Sequence, residues 1–102
     1  MIVRVFTFRV SAKNQGKLLR FMKQGRGWAV LSRIPHLRGA YLLHHQNRKN
    51  EYLWITMWSS NAGLKRAMES KAWRRLYVSE VDSGVIFEGG YRRDHFDALL
   101  SI

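Results

Sequence analysis

The sequence contains no cysteine, a single proline and, across residues 1–50, not one acidic side chain. The missing cysteine excludes disulfides and thiolate chemistry and agrees with a cytoplasmic protein. No apolar run approaches the roughly 18–20 residues of a membrane-spanning helix. Met1–Val10 alternates instead of forming the apolar stretch of a signal peptide, so no targeting segment is expected. Gly25-Arg26-Gly27 and Gly89-Gly90 are too short to act as nucleotide loops, and neither a Ser-His-Asp arrangement nor an HExxH pattern occurs. Asp and Glu are too scattered to suggest a cage for a hard cation, and no metal site is expected. Adjacent His44 and His45 point to opposite faces of a strand, so they cannot ligate one metal together.

What is present is charge of one sign. Lys and Arg number 18 against 7 acidic residues, a net charge of +11, and all 7 acids lie after residue 50. Such a field favours anionic partners: nucleic acid, a carboxylated or phosphorylated small molecule, or an anionic surface. The plainer reading is a solvated basic surface with no dedicated partner. The chain has 102 residues and 46% hydrophobic content, which suits a single domain spanning residues 1–102 with its own core.

The most informative stretch is Glu51-Tyr-Leu-Trp-Ile-Thr-Met-Trp-Ser59. As a strand it puts Tyr52, Trp54, Thr56 and Trp58 on one face and Leu53, Ile55 and Met57 on the other. A strand apolar on both faces belongs in a sheet covered on both sides. The chain's own helices supply one cover, and a second copy of the chain is expected to supply the other.

Around that strand the order of elements is legible. Ile2–Val10 alternates as a first strand. Ser11 offers an N-cap hydroxyl to a helix whose inner stripe runs through Leu18, Phe21/Met22, Gly25 and Trp28/Ala29, closed by Pro35. Lys13, Lys17, Arg20 and Lys23 occupy its outer side. Leu37–Gln46 is a second strand, and Asn47-Arg48-Lys49-Asn50 a hairpin loop. Ser59-Ser60-Asn61 caps a short helix, Ala62–Met68, and Ser70 caps another, Lys71–Val81. After the turn Asp82-Ser83-Gly84, Val85–Glu88 reads as the fourth strand, and Asp94 is expected to cap a last helical turn containing Phe96, Leu99 and Leu100. The resulting β-α-β-β-α-β order is a ferredoxin-like α+β fold, with a four-stranded antiparallel sheet and both helices on one face.

Pro35 with Leu37-Arg38-Gly39, the aromatic-ended strand Tyr52–Trp58 followed by Ser59-Ser60, and the helix pair to Trp73 carry a resemblance. On these residues the chain resembles the antibiotic biosynthesis monooxygenase-like (ABM) family of the dimeric α+β barrel superfamily. The resemblance implies a homodimer formed through the helix-free sheet face. It also implies a small oxidoreductase of the cofactor-independent monooxygenase type, acting on an aromatic or quinone-forming small molecule. The haem-degrading branch uses an Asn on the first strand, a Trp on the short helix and a His on the next one. Those positions fall here near Phe6, Arg66 or Ala67, and Leu76 or Tyr77, and none carries the required side chain. No cofactor is therefore expected.

The candidate site residues follow. Arg4 shares a strand face with Phe6 and Phe8, which the resemblance places under the helices, and an arginine there needs a partner. Either it pairs with Glu88, or it forms the floor of an anion-binding pocket. Arg4, Phe6 and Trp73 are the expected ligand-binding residues, with His44 and Tyr77 as candidate proton-transfer groups. The alternative function is a non-catalytic binding protein for an anionic ligand. The RNA-binding pattern of ferredoxin-like sheets, Lys/Arg-Gly-Phe/Tyr-Gly/Ala-Phe, is absent. Nucleic acid binding is expected to be no more than weak and electrostatic.

Overall fold

The computed structural model describes residues 1–23, 29, 31–74 and 91–100. Four strands form one antiparallel sheet: β1 (Ile2–Arg9), β2 (Leu37–His44), β3 (Glu51–Trp58) and β4 (Arg92–Asp97). Their spatial order is β2-β3-β1-β4, the ferredoxin-like arrangement expected from the order of elements. Two helices, α1 (Ala12–Lys23) and α2 (Asn61–Met68), follow β1 and β3.

The alternation of β1 decides where the core lies. Ile2 and Phe8, with Val10 just beyond, are buried on the helix side, where they join Tyr52 and Trp58 of β3. Leu18, Phe21 and Met22 of α1 and Leu64 and Ala67 of α2 pack into the same cluster, together with Leu31 and Ile34. Of the expected inner stripe, Leu18, Phe21 and Met22 are buried, Ala29 is exposed, and Gly25 and Trp28 lie outside the described residues; Lys13, Lys17, Arg20 and Lys23 are exposed. The opposite sheet face carries Val3, Val5, Leu53, Ile55 and Met57, all only half-buried, together with exposed Tyr41, Leu43 and Phe96.

The helix starts use different devices. Ser60 caps α2, its Oγ accepting from Gly63 N at 3.0 Å. Ser70 Oγ accepts from Trp73 N at 3.2 Å and donates to the Ala67 carbonyl, which starts the helical turn at residues 71–74. Ser11 departs from expectation. Its hydroxyl is buried without a hydrogen-bond partner, and its backbone carbonyl accepts from Asn14 N at 2.9 Å. The hairpin loop is tied to α1 by Gln15 Nε2 donating to the Lys49 carbonyl at 2.9 Å.

The C-terminal region corrects the sequence reading. Asp94 does not cap a helical turn with Phe96, Leu99 and Leu100. Asp94 and Phe96 lie within β4, paired opposite Val5 and Val3, and Leu99 and Leu100 are exposed. The segment Arg-Arg-Asp-His-Phe-Asp has no apolar alternation to announce a strand. It holds an edge position through backbone pairing to β1, and charged edge strands are a usual guard against further pairing. His95 is likewise a strand residue, although exposed. The Val85–Glu88 strand, the Asp82-Ser83-Gly84 turn, the Gly25 bend, Trp28 and the remainder of Lys71–Val81 after Arg74 lie outside the described residues. Among the described residues no helix is long and apolar enough to cross a membrane.

Candidate functional site

Arg4 stands mid-strand on the helix-covered face of β1, opposite Thr56 of β3 on one side and His95 of β4 on the other. Phe6 follows on the same face, and Trp73 approaches from the helical turn at 71–74. The Arg4 guanidinium carbon lies 5.6 Å from the Trp73 ring centroid and 5.8 Å from that of Phe6. Arg4 is only 6% exposed, and its buried Nε has no hydrogen-bond partner. Among the described residues no carboxylate pairs with it; the ion pairs there involve Glu51 and Asp94.

Burial lowers the Arg4 pKa from its ordinary value, and repulsion from Arg93 on the neighbouring strand adds to that shift. Stacking on two rings is worth about 0.5–2 kcal/mol for each contact. Removing a cation from water without a counter-ion costs several kcal/mol. The rings therefore offset only part of the cost. Glu88, the expected internal partner, lies outside the described residues.

Trp58, fully buried, meets Trp73 edge-on with centroids 6.0 Å apart and donates its indole N–H to Thr56 Oγ1 at 2.9 Å. Along the sheet a row of rings crosses the helix-covered face. Tyr91 and Phe6 lie 5.2 Å apart, Phe6 and Phe8 5.3 Å, Phe8 and Tyr52 5.8 Å, and Tyr52 and His44 4.5 Å. Desolvation raises the Tyr52 pKa.

The structure thus brings together three of the five expected residues: Arg4, Phe6 and Trp73. His44 shares their face but stands at the far end of the ring row, exposed beside the 47–50 loop. Its Nε2 lies 2.6 Å from the Lys49 carbonyl. A carbonyl only accepts, so Nε2 carries the proton and Nδ1 is left as the acceptor. Tyr77 lies outside the described residues. His45 organises the loop, with Nδ1 accepting from Asn47 N and Arg48 N, each at 3.0 Å.

Two residues near the site were missed from the sequence, Tyr91 and Arg93. Arg93 Nη2 donates to Tyr91 Oη at 2.9 Å, and its guanidinium carbon lies 5.0 Å from the Tyr91 ring centroid. The signal that would have found them is the period-2 placement of Arg93 and His95 on one face, visible only once Arg92–Asp97 is read as a strand. Among the described residues no group of three His, Asp or Glu side chains is placed to hold a metal ion.

Sequence comparison matches no protein-family model and no curated protein. Structure comparison does find similar folds. A mutant of SnoaB, a cofactor-independent oxygenase from Streptomyces nogalater, superposes with a TM-score of 0.74 at 18% identity, covering 99% of this chain and 95% of that one. A Caulobacter crescentus CB15 protein provisionally called an antibiotic biosynthesis monooxygenase gives a TM-score of 0.78 at 14% identity, covering 97% and 90%. A Bordetella bronchiseptica protein with the same provisional name gives 0.77 at 13% identity, covering 97% of each chain. Over nearly its whole length, the chain has the ferredoxin-like α+β fold of antibiotic biosynthesis monooxygenase structures.

Proposed function

We propose that the protein is a cofactor-independent oxygenase that converts an aromatic small molecule to a quinone. The observation that carries this reading is Arg4, a buried guanidinium with an orphaned Nε, enclosed by Trp73 and Phe6. The likeness to SnoaB in fold supports it. A flat ring fits against such side chains, and a site of apolar walls with few polar groups is the usual form for a small ligand. Loss of a proton from a methylene between aromatic rings leaves an enolate-like anion, the electron-rich partner that dioxygen requires. A fixed, desolvated cation stabilises that anion more strongly than water does. In the overall step a ring-flanked CH2 and O2 give C=O and H2O. One oxygen atom enters the product, and the other leaves as water with both hydrogens.

Tyr77 and His44 are the candidate proton-transfer groups, with Nδ1 the accepting atom of His44. The sheet face opposite α1 and α2, with half-buried Val5 and Ile55 and exposed Tyr41 and Phe96, supports a homodimer. The cysteine-free composition fits a cytoplasmic setting. Nucleic acid binding through Lys13, Lys17, Arg20 and Lys23 would be weak and salt-sensitive.

A second reading, an anion-binding protein without turnover, is favoured by the position of His44. It leaves no described proton acceptor beside Arg4. One experiment separates the two. The protein is mixed with an anthrone under 18O2 without added cofactor, and the product is analysed by mass spectrometry. Quinone formed above the uncatalysed rate, with one labelled oxygen, supports the oxygenase. Binding of the anthrone without faster oxidation supports the binder.

A further inference from the structure

Arg4 is not the only cation on its side of the sheet. In the β1–β4 register, His95 stands opposite Arg4 and Arg93 opposite Phe6, so Arg4, Phe6, Arg93 and His95 share one face. Arg93 is near enough to repel Arg4. Between the two guanidinium groups lie two rings in contact, Phe6 and Tyr91, with centroids 5.2 Å apart. Arg4 sits over Phe6 and Arg93 over Tyr91. Arg4 is buried, whereas Arg93 and Tyr91 are exposed.

The two cations differ in their surroundings. Burial and the nearby Arg93 charge both disfavour the Arg4 cation, and among the described residues exposed Arg93 donates its hydrogen bond to the Tyr91 hydroxyl. The neighbouring Arg92 behaves differently. It lies on the other face of β4, opposite Thr7, and pairs with Asp94 at 2.9 Å. Among the described residues the strand thus gives Arg92 a carboxylate partner and Arg93 a phenol.

We propose that the site selects a ring bearing a carboxylate, an aromatic acid, with the carboxylate held by Arg93 and the ring lying against Phe6 and Tyr91. This rests on the ligand site of the proposed function but not on its turnover. Arg4 answers the anion that forms on the reacting ring, and Arg93 answers a charge the substrate already carries. Guanidinium is suited to this role, because its planar fork matches a carboxylate in two parallel hydrogen bonds.

The test compares 3-hydroxy-2-naphthoate with 2-naphthol, which differ by the carboxylate, using quenching of tryptophan fluorescence at fixed ionic strength. The native protein is expected to bind the acid at least about tenfold more tightly, the scale of a charge-assisted hydrogen bond. Arg93→Gln should remove about tenfold of the acid's affinity and change naphthol binding less than twofold. Arg92→Gln, on the other face, should change neither. Arg93 is exposed, so its replacement does not threaten the core. Equal affinity for the two ligands, absence of acid binding, or equal losses in Arg92→Gln and Arg93→Gln would overturn the proposal. The assay reads no oxidation, so a protein that prefers the acid but turns nothing over keeps this inference and loses the oxygenase reading.

Discussion

Trp58 and Thr56, two residues apart on β3 and both fully buried, are joined by a hydrogen bond from the indole N–H to the hydroxyl at 2.9 Å. Same-face neighbours along a strand point in parallel, and here the spacing lets a polar pair satisfy itself inside an apolar core. The bond also aims the Trp58 ring at the edge of Trp73, which in turn faces Arg4. Thr56→Val should cost about 1–3 kcal/mol, because the indole N–H is left buried and unpaired. Thr56→Val in a Trp58→Phe background should cost clearly less. Urea denaturation of the four proteins measures the coupling, and strictly additive losses would deny it.

Arg4 supplies a test of its own surroundings. Breaking a buried ion pair by removing one partner costs about 3–5 kcal/mol, whereas replacing an uncompensated buried charge with a packed apolar chain is neutral or stabilising. Arg4→Met is expected to leave the melting temperature unchanged or raise it, and to abolish turnover. A loss of several kcal/mol would instead indicate an internal counter-ion such as Glu88, and the anion site would fall with it.

Gly63 in α2 faces His36 at close quarters. A methyl group placed on Gly63 would lie 2.7 Å from His36 Cβ. His36 cannot easily retreat, because its backbone has φ of 69° and its carbonyl accepts from Ser59 N at 3.0 Å. Gly63→Ala should therefore destabilise by about 1–3 kcal/mol. Adding His36→Gly removes the opposing Cβ and suits the left-handed backbone, so the double variant should recover most of the loss in thermal melts.

Tyr52 makes the fold sensitive to alkali. Its pKa is raised by desolvation, so the folded state favours the neutral phenol. The sign follows from linkage: that stability is complete below the unfolded pKa near 10 and is lost as pH rises through the higher folded value. Denaturation midpoints should hold up to about pH 10 and then fall. Tyr52→Phe should flatten the decline, and an equal decline in that variant would place its cause elsewhere.

The half-buried sheet face opposite α1 and α2 predicts assembly. Sedimentation equilibrium at micromolar concentration should give twice the chain mass of 12.0 kDa. Ile55→Glu puts a charge at the centre of that face and should yield monomers with the fold retained by circular dichroism. A native monomer free of aggregation would end the dimer proposal.

The sequence by itself determined β1, β2 and β3 and the α+β order of elements up to α2. β1 and β3 carry their apolar pattern in their own side chains, and the caps at Ser60 and Ser70 are local hydrogen bonds between near neighbours. Arg4 and Phe6 were legible because strand alternation puts them on one face, the face that the family resemblance places under the helices, and Trp73 because it lies in the helix that the resemblance includes. Tertiary structure decided β4. Arg92–Asp97 has no pattern of its own and becomes a strand only because β1 offers a free edge, so the nearness of Arg93 and Arg4 was invisible in a linear reading. It also decided where His44 stands, since a strand residue's face follows from alternation but its distance from a distant partner follows from register. Local pattern is written in one segment, whereas pairing and register depend on two, and the candidate site is assembled across such pairings.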